Sequence, residues 1–181
     1  MLFRSGDLSH KYPLLKNTKF IGVLSRFSRE KVEWEDVRVE AEAVDLGERY
    51  DVVAVLSGPE PHRSNLELEI ASMHNSQPTV LSNSEKFTIH NYDKTLLIIQ
   101  GLPADDLRLA EHKDGVDYIP HLPTGLLQWY MQEAKQIVCR SGYSSIMDLH
   151  TIGRKAHLIP TPGQTEQEYL KIIHNYSAKS S

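Results

Sequence analysis

The segment from Ile137 to Tyr169 constrains the fold more than any other part of the chain. A short apolar strand, Ile137-Val138-Cys139, runs into Arg140-Ser141-Gly142-Tyr143-Ser144-Ser145 and then an amphipathic helix. A second strand, His157-Leu158-Ile159-Pro160, runs into Thr161-Pro162-Gly163-Gln164-Thr165-Glu166-Gln167-Glu168-Tyr169. Twice in succession, a strand ends in a Ser/Gly or Pro/Gly turn that opens a helix. Strands alternating with helices form parallel sheets with right-handed crossovers, and such sheets bind ligands at the carboxyl ends of their strands. Helix N-termini at that edge supply unpaired N–H donors and a partial positive charge, which suits phosphate.

The rest of the chain fits the same plan. Asp51-Val52-Val53-Ala54-Val55-Leu56 and Thr95-Leu96-Leu97-Ile98-Ile99-Gln100 are continuous apolar runs, as expected of strands covered on both faces. Val116-Asp117-Tyr118-Ile119-Pro120 reads as a third strand and Phe20-Ile21-Gly22-Val23-Leu24 as a short one. Leu66, Ile70 and Met73 place a helix over 62–74, and a further helix is expected from Pro123 to Ala134. Residues 1–18 are polar and aperiodic, and read as an arm or linker. The acidic stretch 30–48 reads as a loop or exposed element. Thr79-Val80-Leu81 is a candidate strand within an ambiguous stretch, 75–94. The predicted fold class is α/β, a Rossmann-like parallel sheet flanked by helices.

A chain of 181 residues holds one sizeable core. Twenty basic against twenty-four acidic residues, with no block of like charge, give no electrostatic case for a nucleic-acid partner. The one cysteine, Cys139, excludes an internal disulfide and falls in a buried strand, so it reads as an inert core thiol of a cytoplasmic protein. No apolar run is long enough for a membrane-spanning helix, which does not exclude peripheral membrane association. Nine histidines show no His-x-x-x-His spacing, and no metal is expected. Gly-x-Ser-x-Gly, Walker and Gly-x-Gly-x-x-Gly motifs are missing, which removes support for hydrolase, ATPase and dehydrogenase readings.

Three turns carry candidate chemistry. Ser57-Gly58-Pro59-Glu60-Pro61 can lay N–H groups against an anion, although the two prolines each remove a donor; Arg63 just beyond could face the same anion. Arg140–Ser145 opens a helix over 143–152 with Ile146 and Leu149 on one face and Ser144, Asp148 and Thr151 opposite. Asp148 could accept hydrogen bonds from a ribose diol; it could equally be an exposed aspartate favoured by the helix dipole. Thr165 and Glu168 match a capping box, while Gln164 and Gln167 lie on the polar side, where amides can read sugar hydroxyls or simply face solvent.

Cys139–Asp148 together with Ile159–Tyr169 resembles the C-terminal, donor-binding domain of family 28 glycosyltransferases. The best-known member of that family is the N-acetylglucosaminyltransferase of the lipid-linked peptidoglycan precursor. The likeness extends through His121-Leu122-Pro123 and Ser57–Pro61 to Ile21-Gly22-Val23-Leu24-Ser25-Arg26. It looks like a bacterial subgroup rather than that enzyme.

The resemblance implies one half of a two-domain GT-B enzyme, with residues 19–181 as the donor nucleotide-sugar-binding domain. By the same resemblance, Ser57, Gly58, Ser141, Gly142, Tyr143 and Ser144 would bind the donor diphosphate and Asp148 the ribose. His121 and Leu122 would meet the base through their main chain, and Gln164, Gln167 and Glu168 the sugar. Glu168 stands where the family has a glutamine. The implied reaction is inverting transfer of a hexosyl group from a UDP-sugar to an acceptor hydroxyl without a bound metal. The catalytic base would come from an acceptor domain that this sequence does not contain.

The chain also stops sooner than a complete donor domain. An excised or truncated product is the favoured explanation, and the isolated chain is expected to be inactive. The alternatives are a donor-binding subunit that pairs with a separate acceptor chain, a non-catalytic binding module, and a relative of UDP-sugar 2-epimerases.

Overall fold

The computed structural model describes residue 17 and residues 22–75, 95–103 and 109–178. The elements run α1 (Trp34–Ala43), β1 (Val52–Val55), α2 (His62–Asn75), β2 (Leu96–Ile99), β3 (Glu111–Lys113), β4 (Val116–Ile119), α3 (Thr124–Glu133), β5 (Gln136–Arg140), α4 (Tyr143–Thr151), β6 (His157–Ile159) and α5 (Thr165–Ala178). The strands form one sheet in the order β3-β4-β2-β1-β5-β6. All neighbours are parallel except β3 and β4, and β1 sits between β2 and β5 with Val53 opposite both Leu97 and Ile137. The fold is therefore α/β and Rossmann-like, as the apolar runs imply.

Alternation along the strands sends side chains into two cores. Val53, Leu97, Ile99, Ile137 and Cys139 pack under α1, α3 and α4, joined by Leu170 of α5. Val52, Ala54, Leu96, Ile98 and Val138 pack against Leu66, Ile70 and Met73 of α2. Helix α3 lies so deep that all six residues from Leu126 to Met131 are buried, Gln128 among them. Its polar groups are paired accordingly: Trp129 Nε1 donates to the Glu48 carbonyl at 3.1 Å and Tyr130 Oη to the Gly47 carbonyl at 2.8 Å.

Two local expectations are corrected, the exposed element in 30–48 takes the form of a helix, and one strand was not anticipated. Residues 22–25 are irregular rather than a strand; Phe20 and Ile21 lie outside the described residues, as do Thr79–Leu81 and all but Asn17 of the proposed arm. The stretch 30–48 contains α1, whose buried stripe is only Val37 and Ala41. Its start is supported by Asp36, whose carboxylate accepts the Glu33 N–H at 3.4 Å. Residues 111–113 form an edge strand, turned into β4 through Asp114 and Gly115, both at positive φ (54° and 76°); two such residues give the turn that matches strand twist. At the start of α5 the cap falls on Gln164, whose carbonyl accepts the Glu168 N–H at 3.2 Å. Thr165 is thereby the first helical residue, and the expected Thr165–Glu168 capping box is out of register by one.

Candidate functional site

In this sheet β1 is the point where the connections diverge. The chain leaves it towards β2 and β4 on one side and later returns to β5 and β6 on the other. A crevice is expected at the carboxyl ends of β1 and β5 for that reason, and a cleft of about 690 Å³ opens there. Its floor includes Val55, Leu56 and Ser57 at the exit of β1, and Ile99 and Gly101 at the exit of β2. Gly101 has φ +68°, and a Cβ there would fall 2.2 Å from the Leu56 carbonyl oxygen, so only glycine lets the two strand exits approach this closely.

The opposite wall is the start of α4. Gly142, Tyr143, Ser144 and Ser145 all line the cleft. The first intrahelical bond runs from Ile146 N–H to the Gly142 carbonyl, which places Ser144 and Ser145 in the first turn, where N–H groups have no acceptor within the helix. Gly142 carries no side chain that could cap them. The arrangement presents amide hydrogens and the positive end of the helix dipole to the cleft, a setting that favours an anion.

One turn further along α4, Asp148 also lines the cleft, although its side chain is only 7 % exposed. Its Oδ1 accepts the Ser25 hydroxyl at 2.6 Å and its Oδ2 accepts Arg26 Nε at 3.1 Å. The segment that brings these groups is held at three further places. Leu24 N–H donates to the Met147 sulfur at 3.3 Å. The Gln128 amide both accepts from Ser28 N–H (3.0 Å) and donates to the Ser28 and Glu30 carbonyls (2.9 and 3.0 Å). Leu24, Ser25 and Arg26 thus form a third wall. Sequence reasoning assigned no role to Ser25 or Arg26; the signal available was their place at the end of the stretch from Ile21 that carries the family likeness.

Seven of the expected site residues converge on this cleft. Ser57, Gly142, Tyr143 and Ser144 lie at its phosphate-suited walls, Asp148 beside them, and His121 and Leu122 at the exit of β4. Five do not line it. Gly58 turns away, with Thr161 Oγ1 3.6 Å from the place a Cβ would occupy. Ser141 is fully buried, its hydroxyl donating to the Gln167 carbonyl at 2.8 Å. Gln167 is occupied locally: its Oε1 accepts the Thr161 N–H at 2.9 Å and its Nε2 donates to Gln164 Oε1 at 2.5 Å. Glu168 is exposed on the first turn of α5. The Ser141 link nevertheless ties this second turn directly to the first. Arg63 does not face the cleft; Glu60 and Glu67 match its charge, and it donates to the Gln100 carbonyl at 3.3 Å.

Cys139 is buried, and burial pushes its thiol up to about 12, so it takes no part in nucleophilic chemistry. Among the described residues no group of three or more His, Cys, Asp or Glu side chains is placed to hold a metal ion, and no helix is long and apolar enough to cross a membrane.

No curated protein and no solved structure matches the chain. A family profile does, over residues 77–171, described as the glycosyltransferase family 28 C-terminal domain. The matched stretch begins after β1 and α2 and holds β2 to β6, α3, α4 and the start of α5. It thus includes the α4 wall, Asp148 and the His121–Leu122 edge of the cleft. More than half of the sequence, and the side of the cleft that bears its free helix start, therefore place this chain among the glycosyltransferase family 28 C-terminal domains, the donor-binding halves of glycosyltransferases.

Proposed function

We propose that the chain binds the UDP-sugar donor of an inverting glycosyltransferase that moves a hexosyl group to an acceptor hydroxyl. The observation that carries this reading is the convergence of the β1 exit, the α4 N-terminus and the Asp148 carboxylate on one cleft at the divergence point of the sheet. A nucleoside diphosphate offers what those three walls want: two phosphates for the helix start and Ser57, and a diol for Asp148. The base would lie against the main chain at His121 and Leu122.

In this reading the diphosphate lies between Ser57 and the Gly142–Ser144 start of α4, with Gly58 and Ser141 shaping the two turns from behind. Ser141 acts from beneath, by fixing the α5 start through Gln167. The sugar lies towards Gln164, Gln167 and Glu168. Gln167 already uses both ends of its amide and occupies the Gln164 Oε1, which leaves the Gln164 Nε2 and the Glu168 carboxylate to turn towards hydroxyls. The acceptor oxygen forms its bond to the anomeric carbon from the face opposite the leaving group, and the bond to the diphosphate oxygen breaks. UDP leaves with the electron pair, and the acceptor proton goes to a base on an acceptor domain or partner subunit. The charge growing on the diphosphate is met by N–H donors of α4 without reorganisation, usually a large catalytic term.

Isothermal calorimetry with UDP, UDP-hexoses and uridine tests the reading. Saturable heat with UDP, weakened by about tenfold or more in Asp148→Ala, is the expected outcome. No heat with any uridine nucleotide would remove it.

A further inference from the structure

Arg140 is the last residue of β5 and one of the most deeply buried polar side chains, only 3 % exposed. None of its hydrogen bonds reaches a carboxylate. Nη1 donates to the Pro160 carbonyl at 3.0 Å and Nη2 to the His62 carbonyl at 2.6 Å, while Nε has no partner. A buried guanidinium whose hydrogen bonds all go to neutral carbonyls is costly, and the charge of Glu69 offsets only part of the desolvation. Burial accordingly moves its pKa downward. A methionine or leucine would fill the space without that cost, so the reason for an arginine lies in what its two donors join.

They join turns that are distant in sequence. His62 is the first residue of α2 and follows the Ser57–Pro61 turn, whose Ser57 lines the cleft; Pro160 follows β6 and begins the turn into α5. Arg140 itself leads into Ser141, Gly142 and the start of α4. One planar fork therefore fixes three helix starts relative to one another, with the Ser141–Gln167 bond as a second tie between two of them. We infer that Arg140 is a positioning residue of the donor site, holding the starts of α2, α4 and α5 at the spacing that a diphosphate and its sugar require. Its hydrogen bonds reach neither the Asp148 carboxylate nor the His121–Leu122 edge. Its influence falls on the diphosphate and sugar end of the ligand and leaves the nucleoside end alone.

The inference rests on the donor-binding reading for its consequence but not for its mechanics, and two readouts separate them. The variant is Arg140→Lys, which keeps the charge but offers a single ammonium in place of the fork. Hydrogen exchange needs no ligand. It should quicken at the backbone amides of 63–65 and of 164–168 together, with α1 and β2 unchanged; protection retained at either turn overturns the inference. Calorimetry then compares UDP with uridine. UDP affinity should fall by roughly tenfold or more, the scale of a lost charge-assisted hydrogen bond, with uridine affinity unchanged. Equal losses for both ligands, or none for UDP, overturn the positioning role. If the parent chain binds no uridine compound, the donor reading fails, and the exchange experiment still decides whether the clamp exists. Should Arg140→Lys not fold, Arg140→Gln carries both readouts. If neither folds, the residue serves the fold as a whole and the inference fails.

Discussion

Arg26 Nε lies 3.1 Å from Asp148 Oδ2 across 122 residues of chain, and the neighbouring Ser25 hydroxyl takes the other carboxylate oxygen. Both oxygens that the proposed ligand would use are thus already satisfied within the protein. A ribose diol would share or displace these donors, and Arg26, with a side chain 48 % exposed, has room to swing aside. Asp148→Ala is expected to lower UDP affinity by about tenfold or more. The thermal midpoint should shift little, because an ion pair with a half-exposed arginine contributes weakly. Calorimetry and a melting curve on the same sample check both halves.

The Gly101 approach gives a sharper stability test. An alanine there meets a positive φ and a carbonyl oxygen 2.2 Å from its Cβ. Gly101→Ala should therefore destabilise the chain by at least about 2 kcal/mol. A urea titration that shows an unchanged midpoint would contradict the geometry.

Gln128 anchors the Leu24–Arg26 wall from inside the core. Gln128→Leu keeps the bulk but leaves Ser28 N–H and two carbonyls without their partner. The expected loss is about 1–3 kcal/mol in urea unfolding, with faster hydrogen exchange at Phe27 and Ser28 as the specific sign that the segment has come loose.

His112 supplies the pH dependence. Hydrogen bonds to Asp117 first, and then to Asp45, raise its pKa above the ordinary 6.5. A histidine whose folded value is raised stabilises fully below the unfolded value, and the contribution fades as pH rises through the folded one. His112→Gln should lower the midpoint at about pH 5.5 and leave it unchanged at about pH 9. The difference should shrink in high salt, since the ring is exposed. Equal effects at both pH values would refute the assignment.

Cys139 offers a probe of opening. Its thiol is 1 % exposed and its pKa is pushed up to about 12 by burial, with the nearby Asp148 charge adding to the rise. A chromogenic disulfide reagent should leave the native protein unmodified and titrate one thiol at once in denaturant.

Much of the architecture was legible because parallel strands covered on both faces announce themselves: Val52–Val55 and Leu96–Ile99 need no context to be read. The two strand-turn-helix units were legible for the same reason, with Gly142 and Gly163 marking the turns. Helix α1 was not, since only Val37 and Ala41 are buried among charged neighbours and the remaining surface looks like any solvated loop. Strand β3 has no buried residue, and its one signal was the Asp114-Gly115 pair beside Val116. At the cleft, the glycine and serines of α4 were legible from local chemistry. The partners of Asp148 were not, because a contact across 122 residues leaves no trace in local pattern. Nor did the Gln167 side chain advertise that its amide would close a turn instead of facing a ligand.

The distance in sequence between Arg26 and Asp148 has a consequence for how the cleft comes into being. A ribosome delivers Ser25 and Arg26 early, yet the groove that seats them does not exist until α3 and α4 have been made. A nascent chain halted before residue 148 can pair β1 with β2 while its first wall still hangs loose. Ligand-binding competence should therefore arrive late and all at once in synthesis, after most of the sheet has already found its order.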